Sequence, residues 1–194
     1  MKPCHTDDLN TAEFWDSFWT TTRGMYESHA CPDVVWLLRL LTAGKEKTLD
    51  VGCGVGRYFP WFRSDEIHGI EISPKGVEQA QKQFPDAIVS VMDIVKDGIL
   101  YPENTFDVVY CGEMLEHVSD TVMLVNDLRR VTKPGGVVVL NTPFEDSIPA
   151  DAHLWFIYRK DLTNLFKDFT HTSIFRFSNS PDNLWEHFLV VGTK

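Results

Sequence analysis

The stretch CGEMLEHVSD, residues 111–120, places Glu113, Glu116 and His117 within five residues, directly after the apolar run FDVVY. If a helix starts near Gly112, these three stand at i, i+3 and i+4 and share one face. Two carboxylates and an imidazole on one face can coordinate a divalent ion such as Mg²⁺, Mn²⁺ or Zn²⁺. His117 alone can act as a general base on a hydroxyl. The plainest alternative is that the glutamates cap or salt-bridge and the histidine packs. All three readings stand at this stage.

The second chemical signal is TLDVGCGVGRY. Gly52, Gly54 and Gly56 alternate directly after a strand pattern. Such a loop lets backbone approach a ligand closely, and the carboxyl end of a strand is where open α/β sheets bind ligands. Arg57 occupies the third glycine position of a GxGxxG fingerprint, and no GK[ST] is present. Both departures weigh against an NAD-dependent oxidoreductase and against a phosphate-cradling P-loop. Glu71 ends the next strand pattern, HGIEI, about 20 residues beyond Asp50, where a carboxylate can accept both hydroxyls of a ribose. A glycine loop with the anionic Asp50 and no pyrophosphate apparatus suits a ligand with a cationic amino-acid end.

The elements that position these residues alternate. Apolar runs appear at TLDV, IHGIEI, AIVSVM, FDVVYC and GGVVVLNT, separated by helical patterns at RYFPWF, SPKGVEQAQKQF and SDTVMLVNDLRRVT. Ser73-Pro74 and Ser119 read as helix starts, and KPGG as a turn before the fifth strand. This predicts a parallel α/β sheet covered on both faces. The tail reads as a loop (TPFEDSIPADA), a helix over 159–167, and two antiparallel strands, HTSIFRFS and HFLVVGTK, around the turn NSPDN. Upstream, Phe14, Trp15, Phe18 and Trp19 recur at helical spacing after Thr11, and a second helix runs from Pro32. Residues 1–44 are therefore expected to form a helical cap or lid on a core over 45–194, in one domain.

At 194 residues and 43% hydrophobic content, the chain is long enough for a substantial core. Its net charge of −10 disfavours a nucleic-acid partner held through phosphates. No apolar run approaches the ~20 residues of a membrane span. Cys4, Cys31, Cys53 and Cys111 form no CxxC pair and read as free thiols. MKPCHTDDLN lacks the apolar stretch of a signal peptide, so a cytoplasmic location is expected.

Five segments together resemble the motifs of the class I S-adenosylmethionine (SAM) dependent methyltransferases, in order: LDVGCGVGRY, GIEIS, VMDI, FDVVYCGEMLEHV and LRRVTKPGGVVVLNTP. The similarity runs from Thr48 through the remaining chain. It implies a Rossmann-like, seven-stranded, mostly parallel sheet with an antiparallel C-terminal hairpin. It also implies that Asp50 and the loop of Gly52, Cys53, Gly54 and Gly56 hold the methionine part of SAM. By the same resemblance Glu71 binds the ribose, Ile72, Asp93 and Ile94 flank the adenine, and the backbone of Cys111 or Gly112 faces the amino group. The ExxEH stretch is similar to that of the ubiquinone-pathway O-methyltransferases and of small-RNA terminal 2′-O-methyltransferases. In those families a divalent ion is bound, and a later histidine completes the site. His153 stands at the corresponding place. The metal reading thus takes Glu113, Glu116, His117 and His153 as ligands, and the catalytic reading takes His117 and His153.

The expected activity is methyl transfer from SAM to a small molecule, at a hydroxyl oxygen. Transfer to nitrogen or a carboxylate without metal, or a regulatory protein that only binds SAM, are the alternatives. Trp155, Phe156 and Tyr158 are expected to line the acceptor pocket. His29, Tyr26 and Arg23 are expected in a closing loop. His5 is expected in a loose terminus, His68 in a structural position, and His171 and His187 far from the site.

Overall fold

The computed structural model describes residues 1–4, 8–21, 30–144, 152–178 and 186–194. Expectations placed on His5, Arg23, Tyr26, His29 and the turn NSPDN fall outside them. The strands are β1 (Lys2–Pro3), β2 (Lys47–Val51), β3 (Glu66–Glu71), β4 (Ile88–Val91), β5 (Phe106–Gly112), β6 (Thr132–Pro143), β7 (Trp155–Phe156), β8 (His171–Ser178) and β9 (Glu186–Thr193). The helices are α1 (Ala12–Thr21), α2 (Pro32–Thr42), α3 (Pro74–Gln83), α4 (Ile94–Asp97), α5 (Thr121–Val131) and α6 (Arg159–Leu165).

Seven strands form one sheet in the order β4-β3-β2-β5-β6-β9-β8. Neighbours pair in parallel from β4 through β6, and β9 alone runs against both β6 and β8. The central strand β5 is FDVVYCG, buried on both faces as a parallel core strand requires. Val109 and Cys111 face a core shared with α5 and α6, whereas Val108 and Tyr110 face one shared with α2 and α3. The expected doubly covered sheet with a C-terminal antiparallel pair is therefore what the chain adopts.

Local chemistry accounts for most element boundaries. The Ser73 hydroxyl accepts from the Gly76 amide at 2.9 Å and caps α3, and the Thr11 hydroxyl accepts from the Phe14 amide at 3.2 Å ahead of α1. Four expectations need correction. Asp120, not Ser119, caps α5, its carboxylate accepting from the Met123 amide at 2.8 Å. RYFPWF makes only a 3₁₀ turn, Phe59–Trp61, because Phe62 leaves it with extended backbone. KPGG is absorbed into β6: Thr132 pairs with Phe106 and Val137 with Val108, and Gly135 at φ +75° supports the bulge between them. The first residues are also tied down, as β1 pairs antiparallel with β7.

Replacing Asp120 with Ala removes the α5 cap. The expected loss is about 1 kcal/mol, a drop of ~2–4 °C in melting temperature for a chain of this size, read by calorimetry. An unchanged melting temperature would show that α5 does not depend on its cap.

Candidate functional site

At the end of β5 the chain does not continue into an α-helix. Glu113 takes φ +52°, and Leu115–His117 form a single 3₁₀ turn. Glu113 therefore does not share a face with Glu116 and His117, and the expected constellation divides. The Glu113 amide donates to the Asn141 carbonyl at 2.9 Å. Its carboxylate accepts from Asn141 Nδ2 and from His187 Nε2, the latter at 3.2 Å. His187 was expected far from the site. It lies at the carboxyl edge because β9 is antiparallel and begins where β6 ends, opposite Pro143.

Glu116, His117 and His153 do converge. One ligand atom from each lies within 4.8 Å of the others. A reciprocal clasp brings His153 in: the Leu154 amide donates to the Glu116 carbonyl at 2.8 Å, and His117 Nδ1 meets the Ala152 carbonyl at 2.9 Å. A carbonyl only accepts, so Nδ1 carries the proton and Nε2 keeps its lone pair. That Nε2 is 3.8 Å from Glu116 Oε1. The two imidazoles meet edge to face at 4.9 Å, and Trp15 meets His117 edge-on at 5.1 Å.

Burial sets the charge states. It lowers the pKa of His117 to about 4, the neighbouring His153 adding to the effect, so His117 is neutral at ordinary pH. Burial, then the charge of Glu113, raises the Glu116 carboxyl well above its usual range. Glu116 Oε2 accepts from the Thr142 hydroxyl at 2.9 Å, whereas Oε1 is buried with no hydrogen-bond partner. An orphaned carboxyl oxygen beside two imidazoles is a donor set that a divalent cation would complete, and two nitrogens with one oxygen suit Zn²⁺ or Mn²⁺ better than Mg²⁺.

A cleft runs from this cluster along the carboxyl edge. Its walls include Gly52, Glu71, Ile72, Met92, Asp93, Ile94 and Val95 at one end, and Glu113, Met114, His117 and Val118 at the other. Glu71 is buried, accepting from the Gly54 amide at 2.9 Å and the Ser73 amide at 3.0 Å. Asp93 caps α4 by accepting from the Val95 and Lys96 amides. Of the other residues expected here, Cys53, Gly54, Gly56, Cys111 and Gly112 are not among those that line the cleft. Cys111 is fully buried in the core. A Cβ on Gly112 would sit 2.1 Å from the Tyr110 hydroxyl. Asp50 is buried under the loop, and burial together with the Glu71 charge raises its carboxyl well above the usual range.

The cap contributes residues that composition did not single out. Asn10, Trp15 and Trp19 line the cleft. Trp19 lies on the glycine loop so closely that a Cβ at Gly54 (φ +53°) would come within 2.3 Å of its ring, and one at Gly52 (φ +75°) within 2.7 Å of the Met114 sulfur. Asp16 fixes α1 to the start of α3, accepting from the Ser73 hydroxyl and from the Lys75 amide at 2.9 Å. The repeated Trp at i and i+4 was the signal available for this face. Trp155, Phe156 and Tyr158 are not in the cleft wall. The Trp155 indole donates to the Val118 carbonyl at 2.9 Å, Lys2 stands over Phe156, and Tyr158 precedes α6.

Residues 49–140 match a family described as "Methyltransferase domain". The chain is 28% identical over 151 residues to the 2-methyl-6-phytyl-1,4-hydroquinone methyltransferase of Synechocystis sp., covering 74% of this chain and 46% of that protein. It is 34% identical over 115 residues to the ubiquinone biosynthesis O-methyltransferase of Pseudomonas putida, covering 56% of this chain and 49% of that one. It spans about half the length of these curated relatives. Among solved structures, it superposes with TM-score 0.78 on a chain from the complex between the Haloferax volcanii Trm112 methyltransferase activator and a methyltransferase, at 15% identity, covering 95% of this chain and 97% of that one. That likeness is one of fold.

In chelator-treated protein the depressed His117 pKa has a signed consequence. The unfolded chain binds this proton near pH 6.5 and the folded chain only near 4, so His117 costs stability as pH falls through that window. The His117→Gln variant is expected to lose less stability than the wild type between pH 6.5 and 4, measured by urea denaturation. Parallel losses in the two proteins would contradict the buried, neutral histidine.

Proposed function

We propose that this chain, which carries a class I SAM-dependent methyltransferase domain, transfers the methyl group of SAM to a hydroxyl oxygen of a small-molecule acceptor. The observation that carries this reading is the neutral His117, its Nε2 lone pair held at the cleft beside Glu116 and His153.

When bound, SAM supplies an electrophilic methyl on a sulfonium, which needs an oxygen placed in line with it. The chain's residues supply the placement. On this reading Glu71 takes the ribose and Ile72, Asp93 and Ile94 flank the adenine, a reading supported by all four lining the cleft. Asp50 supports the loop from below rather than touching a ligand in the cleft. His117 Nε2 can receive the hydroxyl proton, since Nδ1–H is already committed to the Ala152 carbonyl. Trp15 and Trp19 cover the cleft and limit water. The metal reading is an alternative to this base role: if Glu116, His117 and His153 hold a divalent ion, Nε2 is a ligand and the ion, not His117, would lower the pKa of the acceptor hydroxyl. Glu113 leaves this ligand set, for the reason of backbone geometry given above.

The name of the ubiquinone biosynthesis O-methyltransferase relative favours oxygen as the acceptor atom, and that of the hydroquinone relative favours a phenolic compound as the acceptor class. Among the described residues no Lys or Arg lines the cleft, which supports a small molecule over a nucleic acid. We take residues 1–44 as a cap and 45–194 as the core of one domain. Among the described residues no helix is long and apolar enough to cross a membrane. The four free cysteines favour a cytoplasmic location. One observation favours a second reading, a domain that binds SAM without turning it over: Trp19 and Met114 already rest on the glycine loop.

Titration calorimetry is expected to show binding of SAM and none of NAD. A SAM-consumption screen over phenols, sugars, amines and carboxylates is expected to respond to phenols. His117→Ala should cut kcat by ~10²–10⁴-fold. Chelation should lower turnover and added Zn²⁺ or Mn²⁺ restore it. Turnover indifferent both to chelation and to Glu116→Ala would reduce the cluster to a pocket wall, and binding without turnover on any acceptor class would establish the second reading.

A further inference from the structure

Asn10 precedes α1 and lines the cleft. Its Nδ2 donates to the Asp8 carboxylate at 3.0 Å and to the Ala152 carbonyl at 3.0 Å. Both partners only accept, so the amide nitrogen and not its oxygen faces them. Asp8 also accepts from the Asn10 backbone amide at 2.9 Å, a turn that fixes the side chain. Asn10 Oδ1 is buried without a hydrogen-bond partner among the described residues. The side chain's polar contacts are thus those of its nitrogen.

The Ala152 carbonyl is the one that receives His117 Nδ1 at 2.9 Å. A carbonyl oxygen has two lone pairs, and here one serves the cap and the other the imidazole. The segment that follows is held separately. β1 pairs with β7, the Cys4 amide donates to the Leu154 carbonyl at 2.9 Å, and the Leu154 amide donates to the Glu116 carbonyl at 2.8 Å. Those bonds fix the chain beyond Ala152, whereas the direction of its carbonyl is set where Asn10 and His117 meet it. Trp15, from the same cap, meets the His117 ring edge-on at 5.1 Å. Cap and imidazole are therefore joined at two places, by packing and by a shared oxygen.

We propose that Asn10 is a positioning residue for methyl transfer. It turns the Ala152 carbonyl onto His117, and that carbonyl keeps the proton on Nδ1 and the lone pair of Nε2 in the cleft. Because Asn10 belongs to the cap, the histidine is set for proton transfer only while the cap is seated. This rests on the reading of His117 as the base of the proposed reaction.

The test is nuclear magnetic resonance of the whole chelator-treated chain, isotope-labelled at the histidine ring nitrogens, near neutral pH. The His117 signals are assigned with His117→Gln. Wild type is expected to show His117 protonated at Nδ1, with that proton protected from exchange. Asn10→Ala and Asn10→Asp should speed its exchange by about fivefold or more, the scale of one lost hydrogen bond, and admit the tautomer protonated at Nε2. Asn10→Asp should have the stronger effect, because a carboxylate facing a carbonyl repels it. Both variants are expected to fold, since Asn10 lies outside both hydrophobic cores. Asp127→Ala is the control. It removes bonds to the Ile99 amide and to Arg130 Nε, each at 2.8 Å, and so lowers stability without touching Asn10. A His117 tautomer and exchange rate unchanged in both Asn10 variants, or the same change in Asp127→Ala, would overturn the role. Calorimetry with SAM on the same samples is expected to give one affinity for wild type and both Asn10 variants. An affinity lost along with the tautomer would show Asn10 serving the methyl donor and would also overturn the role. A wild type that binds no SAM would overturn the functional reading, and the place of Asn10 in methyl transfer with it, whereas the tautomer alone judges the coupling of Asn10 to His117.

Discussion

At the end of β5 a central strand, buried on both faces, must release the chain without leaving its last polar groups unpaired. The solution is Glu113 in a left-handed conformation, with its amide on the Asn141 carbonyl and its carboxylate on Asn141 and His187. Such a conformation costs of order 1–3 kcal/mol, and the hydrogen bonds at both ends of the residue offset it. From this reversal follows the tight turn Leu115–His117. That turn directs Glu116 inward to Thr142, His117 toward Ala152, and Met114 onto Gly52. The cleft and the ligand cluster both depend on the same few bonds between β5 and β6.

The electrostatics of the edge follow from burial more than from charge count. Asp50, Glu71 and Glu116 are each nearly inaccessible, and desolvation is the first cause of the upward shift in all of them. Glu71 is partly relieved by amides from Gly54, Ser73 and Ile72. Glu116 has only Thr142 and its backbone, and is left with an orphaned oxygen. Buried acids without paired cations favour cationic ligands. A sulfonium with an ammonium at one end of the cleft, and a divalent ion at the other, would meet that need.

Within the cap, α2 joins the core under the sheet, whereas α1 adds coverage without contributing to a core. None of the α1 residues is buried, yet two of its tryptophans form part of the cleft wall, and Asp16 fixes the helix to the start of α3. A helix with no buried residue opens at lower free-energy cost than one in the core. Such an element is suited to a cleft that must admit ligands and then exclude water.

The strands, their order along the chain, the glycine loop and the acid at Glu71 were all legible in the sequence, because each rests on local periodicity or on a turn that only particular residues can make. His117 and His153 could be nominated as partners from motif resemblance. The split between Glu113 and Glu116 could not be read in this way. Helical spacing puts i, i+3 and i+4 together only if the chain is helical, and here the hydrogen bonds to Asn141 and His187, both distant in sequence, override that spacing. His187 was misplaced for a related reason: a strand running against its neighbours starts where they finish, so its first residues reach the ligand edge. By itself, the sequence determined the sheet, the loop and the chemical types at the edge. Which of those side chains meet was decided only by tertiary structure, because non-local bonds outweigh local spacing where the chain leaves the sheet.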